Sequence, residues 1–210
     1  MKKVFAILAL VAAMFVGGNV QAQNMVYVGY TPENLTYNNN SANFTGFYAG
    51  FSKNVGIAQG FGVAAGAHAH LNMRNTEGSL FGFTGDVKET QILIDVPVLF
   101  NYGIAINKDL KITPFIGPMV SLGLSGKSHV TVTTPIINTQ TTHDFDWYNN
   151  DGVNDRPNNR FNISAVFGAA LTFSNFNLFA GYNLGLMDLH KSENITMKTK
   201  GFFVGLGFGL

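Results

Sequence analysis

The 210-residue sequence contains no cysteine. That excludes disulfides, thiolate-bound metals and a lipid anchor on an N-terminal cysteine. Charge is also scarce. Asp, Glu, Lys and Arg make up 12% of the chain, about half the share of an ordinary soluble domain. Past the N-terminal leader, no run of apolar residues reaches the roughly 18 needed for a membrane-spanning helix. Residues 23–210 keep 11 of the 13 Lys and Arg and all 12 Asp and Glu, a net charge of 11 − 12 = −1. A neutral surface of this kind gives no electrostatic footprint for nucleic acid. No complete ligand set for a metal and no cofactor motif emerges, so none is expected.

The leader has its own pattern. Lys2 and Lys3 precede an apolar run over residues 4–16, and Val20-Gln21-Ala22 ends it. A short basic segment, a short apolar core and small residues before a cleavage point describe a Sec-type signal peptide. Residues 1–22 are expected to be removed, leaving one domain over residues 23–210.

What the chain has in abundance is glycine and phenylalanine, 24 and 19 residues. The last nine residues show how they are used. Phe202, Val204, Leu206, Phe208 and Leu210 share one parity; Phe203, Gly205, Gly207 and Gly209 share the other. In a strand these sets face opposite ways, giving one large apolar face and one nearly bare face. A wet soluble strand would carry Ser, Thr, Lys or Glu on its second face. Apolar groups against lipid, and small ones in a crowded lumen, suit a narrow transmembrane barrel.

Seven further stretches alternate, over residues 25–30, 45–53, 61–71, 90–106, 111–125, 160–173 and 177–189. The first is short, and its facing is ambiguous. Pro97, Pro114 and Pro118 lie within these stretches and predict bulges or strand ends, because proline cannot donate to a ladder. Connections alternate between short (54–60, 107–110, 174–176) and long (31–44, 72–89, 126–159, 190–199). Outer-membrane barrels show the same segregation, with short periplasmic turns and long extracellular loops. Of the 23 charged residues after the leader, only Asp95 falls in mid-strand. The expectation is therefore all-β: an eight-stranded antiparallel up-and-down transmembrane β-barrel in the bacterial outer membrane, in contact with its lipid. Eight strands leave an interior just wide enough for side chains. Phe115, Phe179, Phe203, Met119 and Met187 are expected to fill it, which argues against a general diffusion porin.

Three segments resemble a known family. Residues 90–102 (TQILIDVPVLFNY), Pro114-Phe115-Ile116-Gly117-Pro118 and residues 182–189 (YNLGLMDL) are similar to successive strands of the PorT-like outer-membrane β-barrel domain of Bacteroides-type bacteria. The resemblance covers most of the chain after the leader. It implies an eight-stranded outer-membrane barrel without catalytic residues, and it adds the alternative of a component of an envelope secretion machine. The sequence departs from the family at Asp95, where Glu is common, and at Asn101, where Lys is common.

Two groups of residues carry candidate chemistry. His68, His70, Asp95 and Asn101 all fall on the inward parity, and antiparallel pairing would bring Asp95 opposite one of the histidines. A polar plug in a filled lumen is the favoured reading; a hydrolase pair or metal site is the sharper one, but a third or fourth ligand is missing. The second group lies in the loop over residues 126–159. Val130-Thr131-Val132-Thr133 can extend the fifth strand above the membrane. Then come Asp144, Asp146, Trp147, Tyr148, Asp151 and Asp155, an aromatic pair expected to be exposed among carboxylates and candidate contacts for a glycan or protein ligand. The oxygen-rich segment around Gly152 has the flavour of a calcium loop, but Trp147 stands where the first ligand belongs, and a solvated turn is favoured. Ser128-His129 and Thr142-His143-Asp144 supply the residue types of an outer-leaflet lipid-modifying enzyme, a minor alternative, as is a small channel. The apolar C-terminal strand is expected to be read by the barrel-assembly machinery.

Overall fold

The computed structural model describes residues 22–37, 40–80, 83–134, 139–149, 158–190 and 196–210. Residues 1–21 of the expected leader (1–22), and the candidate binding residues Asp151 and Asp155, lie outside them. The described strands are β1 (Ala22–Tyr37), β2 (Asn40–Ala58), β3 (Phe61–Leu80), β4 (Phe83–Tyr102), β5 (Ile104–Ala105), β6 (Leu110–Thr134), β7 (Thr139–Asp146), β8 (Phe161–Phe173), β9 (Phe176–Gly185) and β10 (Met197–Gly209).

Eight of them close a ring in the order β1-β2-β3-β4-β6-β8-β9-β10, each antiparallel to the next. β5 continues β4 beside β6, and β7 pairs only with β6. The closing seam joins the ends of the chain: Val26 faces Phe208, Val28 faces Leu206 and Tyr30 faces Val204. The ambiguous first stretch is thus a full stave. Its outward parity is Val26, Val28 and Tyr30, all exposed, while Tyr27 is buried in the lumen.

Alternation dictates what each face meets. Phe47, Phe51, Ile92, Phe100, Ile116, Phe167, Leu171, Phe202 and Leu206 project outward, forming the band that lipid covers. The bare inner face of β10 and β1 makes room for rings. A Cβ on Gly205 would come within 2.6 Å of two ring atoms of Phe179, and one on Gly29 within 2.2 Å of Tyr48 and 2.6 Å of the Val204 carbonyl.

The short turns form as the loop segregation predicts. Gln59 and Gly60 join β2 to β3 with φ of 43° and 89°, a pair of left-handed positions that glycine takes without steric cost. Asn107 accepts from the backbone N–H groups of Asp109 and Leu110 at 2.9 and 2.8 Å, an Asx turn.

Three expectations need correction. Two of the long connections are largely strand, β1 and β2 running out to Tyr37 and Asn40 and β3 and β4 to Leu80 and Phe83, while β6 reaches Thr134 in line with the extension read at Val130-Thr131-Val132-Thr133. Outside the membrane a strand keeps its hydrogen bonds without needing an apolar face. Second, the prolines do not carry the bulges. The β4–β6 register shifts at Ile92/Leu93 and the β2–β3 register between Gly56 and Ala58. Around Pro97 the ladder is only interrupted, with Asp95–His68 and Val98–Ala65 in the same register on either side. Third, β9 ends at Gly185 rather than Leu189. Asp188 instead caps the next turn, its Oδ1 accepting from His190 N and Met197 N at 3.0 and 2.9 Å. Met187 therefore lies beyond the stave expected to point it into the lumen.

Candidate functional site

The lumen is built in layers. In the middle layer, strand alternation sets His68 and His70 on one face of β3, and the β3–β4 register places His68 directly across from Asp95. Both His68 Nε2 and His70 Nδ1 stand 3.0 Å from Asp95 Oδ2. Tyr27 Oη lies 3.0 Å from His68 Nδ1. The partners fix the tautomers: His68 Nε2–H and His70 Nδ1–H donate to the carboxylate, and the Tyr27 hydroxyl donates to His68. Asp95 is 1% exposed. A carboxylate so buried requires this many donors to offset its desolvation. Asp95 Oδ1 and His70 Nε2 make no hydrogen bond. Tyr48 completes the layer, donating to the Val204 carbonyl at 3.2 Å and packing its ring 5.0 Å from that of His68.

Asn101, grouped with these residues on parity, is not part of the cluster. It lies six residues along β4, roughly 20 Å away at strand spacing, and donates to Asn54 Oδ1 at 2.9 Å. Tyr27 and Tyr48 are the partners that sequence reasoning missed. Tyr48 was visible on the inward parity of β2, but Tyr27 sits on the stave whose facing was unreadable.

Phe115, Phe179 and Phe203 pack below this layer, with Phe115 and Phe203 stacked at 6.3 Å and Phe179 perpendicular to Tyr27 at 5.8 Å. A cavity of about 180 Å³ passes among them toward the end that carries the short turns. A second chamber of about 40 Å³ lies toward the long hairpins, against Glu33, Gln91, Tyr148 and Arg160. His70, Asp95, Met119 and Asn183 border both chambers and form the partition between them.

The upper layer closes the mouth. Leu35, Phe44 and Met197 are buried together, with Trp147 and Leu189 against them, and the Trp147 ring stands edge-on to Phe44 at 6.1 Å. The exposed Trp147–Tyr148 pair expected from sequence is therefore corrected: both are partly buried, because they pack onto apolar side chains that the hairpins bring over the mouth. Asp146 sets their geometry, accepting from Tyr148 N at 2.8 Å and from Asn149 N at 3.0 Å. Arg160 lies over the Tyr148 ring at 5.0 Å and bonds Asn149 Oδ1 at 3.0 Å. Burial pushes the Tyr148 hydroxyl up to about 12. Backbone donation from Tyr148, ahead of the other contacts, holds Asp146 below the ordinary carboxylate range.

A group whose folded pKa is depressed contributes stability above its unfolded value and loses it as pH falls through the folded one. The lid is thus expected to hold at neutral pH and to loosen only in acid below the usual carboxylate range. Trp147 is the single tryptophan, so its emission reports the change directly. A red shift at low pH is expected, and Asp146→Ala should give the red-shifted spectrum already at pH 7. An unchanged spectrum in the variant would remove Asp146 from this role.

The residues weighed for lipid-modifying chemistry do not assemble. Ser128 is buried while His129 is exposed on the opposite face of β6, and His129 pairs with Asp144. His143 shares the other face with Val130, which it opposes across the ladder. Among the described residues no hydroxyl group bonds His129 or His143.

A family model described as an outer membrane protein beta-barrel domain matches residues 13–191. No curated protein matches the chain. Among solved structures, the chain is similar to Ail, the attachment invasion locus protein of Yersinia pestis, crystallised with the heparin analogue sucrose octasulfate. The two are 17% identical with a TM-score of 0.43, over 90% of this chain and 99% of that one. It is also similar to Neisserial surface protein A, at 12% identity and a TM-score of 0.49 over 89% and 97%. The N-terminal β-barrel domain of Pseudomonas aeruginosa OprF aligns at 14% identity and a TM-score of 0.29 over 90% and 100%.

Proposed function

The chain belongs to the outer membrane protein β-barrel domain family, and from that premise we propose that it recognises its ligand through the sheet raised above its extracellular rim. It is an outer-membrane protein with a filled lumen and a structural or binding role. One observation carries the choice of surface. Beyond Met73, β3 no longer pairs with β2; beyond Leu122, β6 gives up β8 and takes β7 instead. The result is a four-stranded sheet, β3-β4-β6-β7, whose last strand has, among the described residues, a partner on one side only. β7 reads TQTTHDFD, without the Pro or Lys that blunts an edge. An open edge of this kind can accept an extended segment of a protein partner, and the exposed carboxylate of Asp144, beside His129, can accept from a glycan.

The partition at His70, Asp95, Met119 and Asn183 favours binding over conduction, and the separation of Ser128 from His129 favours it over lipid modification. Deleting residues 142–158 should leave a barrel that still folds in membranes and still shifts on heating in gel electrophoresis. Binding of whole cells to glycan and protein arrays should be lost with it. Undiminished binding would place recognition elsewhere, and an unfolded barrel would make the loop structural.

The similarity of residues 90–102, 114–118 and 182–189 to PorT-like barrels supports a second reading, a component of an envelope secretion machine; co-purification of a stoichiometric partner complex would favour it. We also propose that residues 1–22 are removed during export, exposing Gln23, and that the assembly machinery reads β10. Mass spectrometry of the purified protein tests the first point.

A further inference from the structure

The outer wall of the barrel changes character at a sharp line on β10. Leu210, Phe208, Leu206, Val204 and Phe202 all project outward and are exposed. The next two outward positions are Lys200 and Lys198, both exposed. From Leu210 to Phe202 is about 27 Å along the strand, or about 21 Å along the membrane normal at a tilt near 40°. Lys200 then lies about 26 Å from Leu210, at the upper limit of a band roughly 25 Å tall. Both ammonium groups sit at the height of the outer-leaflet headgroups.

Their ladder partners are neutral, although the Asp188 carboxylate accepts from Met197 N, one residue before Lys198, at 2.9 Å. Lys200 is flanked by Asn34 of β1 and Leu184 of β9, and Lys198 by Thr36. Asn34 donates to Asn43 Oδ1 at 2.7 Å and accepts from Thr36, and among the described residues no acceptor bonds the Asn43 amide N–H groups. The opposite wall differs. There Lys88 bonds Asp86 at 3.1 Å, His129 pairs with Asp144, and Lys127 faces Asp146 across the ladder. On this wall Lys88 and His129 therefore each have a carboxylate partner within the protein. On the other, no described carboxylate pairs with Lys198 or Lys200.

We propose that Lys198 and Lys200, with the Asn34–Asn43 amides beside them, form a docking site for the phosphate groups of an outer-leaflet glycolipid. Residues i and i+2 of a strand are about 7 Å apart, so the two ammonium groups can share one phosphate or hold two on the same headgroup. The site fixes the rotational setting of the barrel in the leaflet and anchors the β1–β10 seam from outside.

The test uses the full-length mature barrel in phosphatidylcholine nanodiscs, with lipid A or its dephosphorylated form added. Native mass spectrometry reads the lipid retained. The wild type should retain phosphorylated lipid A selectively. Lys198→Gln/Lys200→Gln should weaken retention by roughly thirtyfold, about fivefold for each lysine near an anionic surface. Lys53→Gln, at the opposite end of the barrel, should match the wild type and confirm that loss is local. Equal retention by the double variant, or equal retention of the dephosphorylated lipid, would overturn the proposal. Tighter, lysine-dependent binding of soluble heparin than of lipid A would overturn the assignment to lipid.

Discussion

Asp95→Ala is expected to destabilise the folded barrel by about 3 kcal/mol or more, measured by urea unfolding in lipid vesicles. The magnitude follows from what the substitution leaves behind. His68 Nε2 and His70 Nδ1 both meet Asp95 Oδ2 at 3.0 Å, and breaking a buried network by removing one member costs about 3–5 kcal/mol, because the others stay buried without a partner. The same reasoning predicts an asymmetry. Replacing the whole set by apolar residues, as in His68→Phe/His70→Leu/Asp95→Leu, should recover most of the loss, since only the Tyr27 hydroxyl, the partner of His68, is then left without its hydrogen bond. Asp95→Ala close to wild type would mean that the cluster is solvated and not a structural plug. A triple variant as unstable as the single one would mean that the cluster's own energy, rather than its orphaned members, supports the lumen.

The second large effect concerns the seam. A side chain at Gly29 would meet the Tyr48 ring at 2.1 Å and the Val204 carbonyl oxygen at 2.6 Å. The ring can swing away, but the carbonyl belongs to β10 and is held by the ladder. Gly29→Val is therefore expected to cost about 3 kcal/mol or more, the upper range of overpacking, and to block closure. The protein should accumulate in a form that no longer shifts on heating in gel electrophoresis. Tyr48→Ala introduced alongside should not rescue it, because the clash with Val204 persists. Full rescue would place the strain on the ring and not on the approach of the strands.

Both predictions draw on features that were unequally legible in the sequence. The staves were readable because lipid on one side and crowding on the other impose opposite demands on successive residues, as in Phe202–Leu210. The extensions above the membrane were not. At Leu35, Phe44 and Val87 the backbone ladder continues, but water replaces lipid outside, and the apolar parity that marks a strand disappears; only at Val130-Thr131-Val132-Thr133 did alternation mark the extension. The two histidines and Asp95 were visible as inward polar positions. Which of them would touch was a matter of register, and β-bulges at Leu93 and Ala58 shift registers without a mark in the sequence. The lid was misread for a related reason. Trp147 among carboxylates has the composition of an exposed loop, and only the fold brings Phe44, Leu35 and Met197 over the mouth to cover it.

Everything rests on the closure of β1 against β10. The absence of cysteine makes that contact directly measurable, since introduced thiols have no competitors. Val28→Cys with Leu206→Cys places two thiols on directly opposed residues of the seam, and Val28→Cys with Phe202→Cys places them four residues out of register. Oxidised in native membranes, the first pair is expected to form an intrachain disulfide in nearly all molecules and the second in few. No intrachain bond in the first pair, or equal yields in both, would contradict a closed eight-stranded barrel.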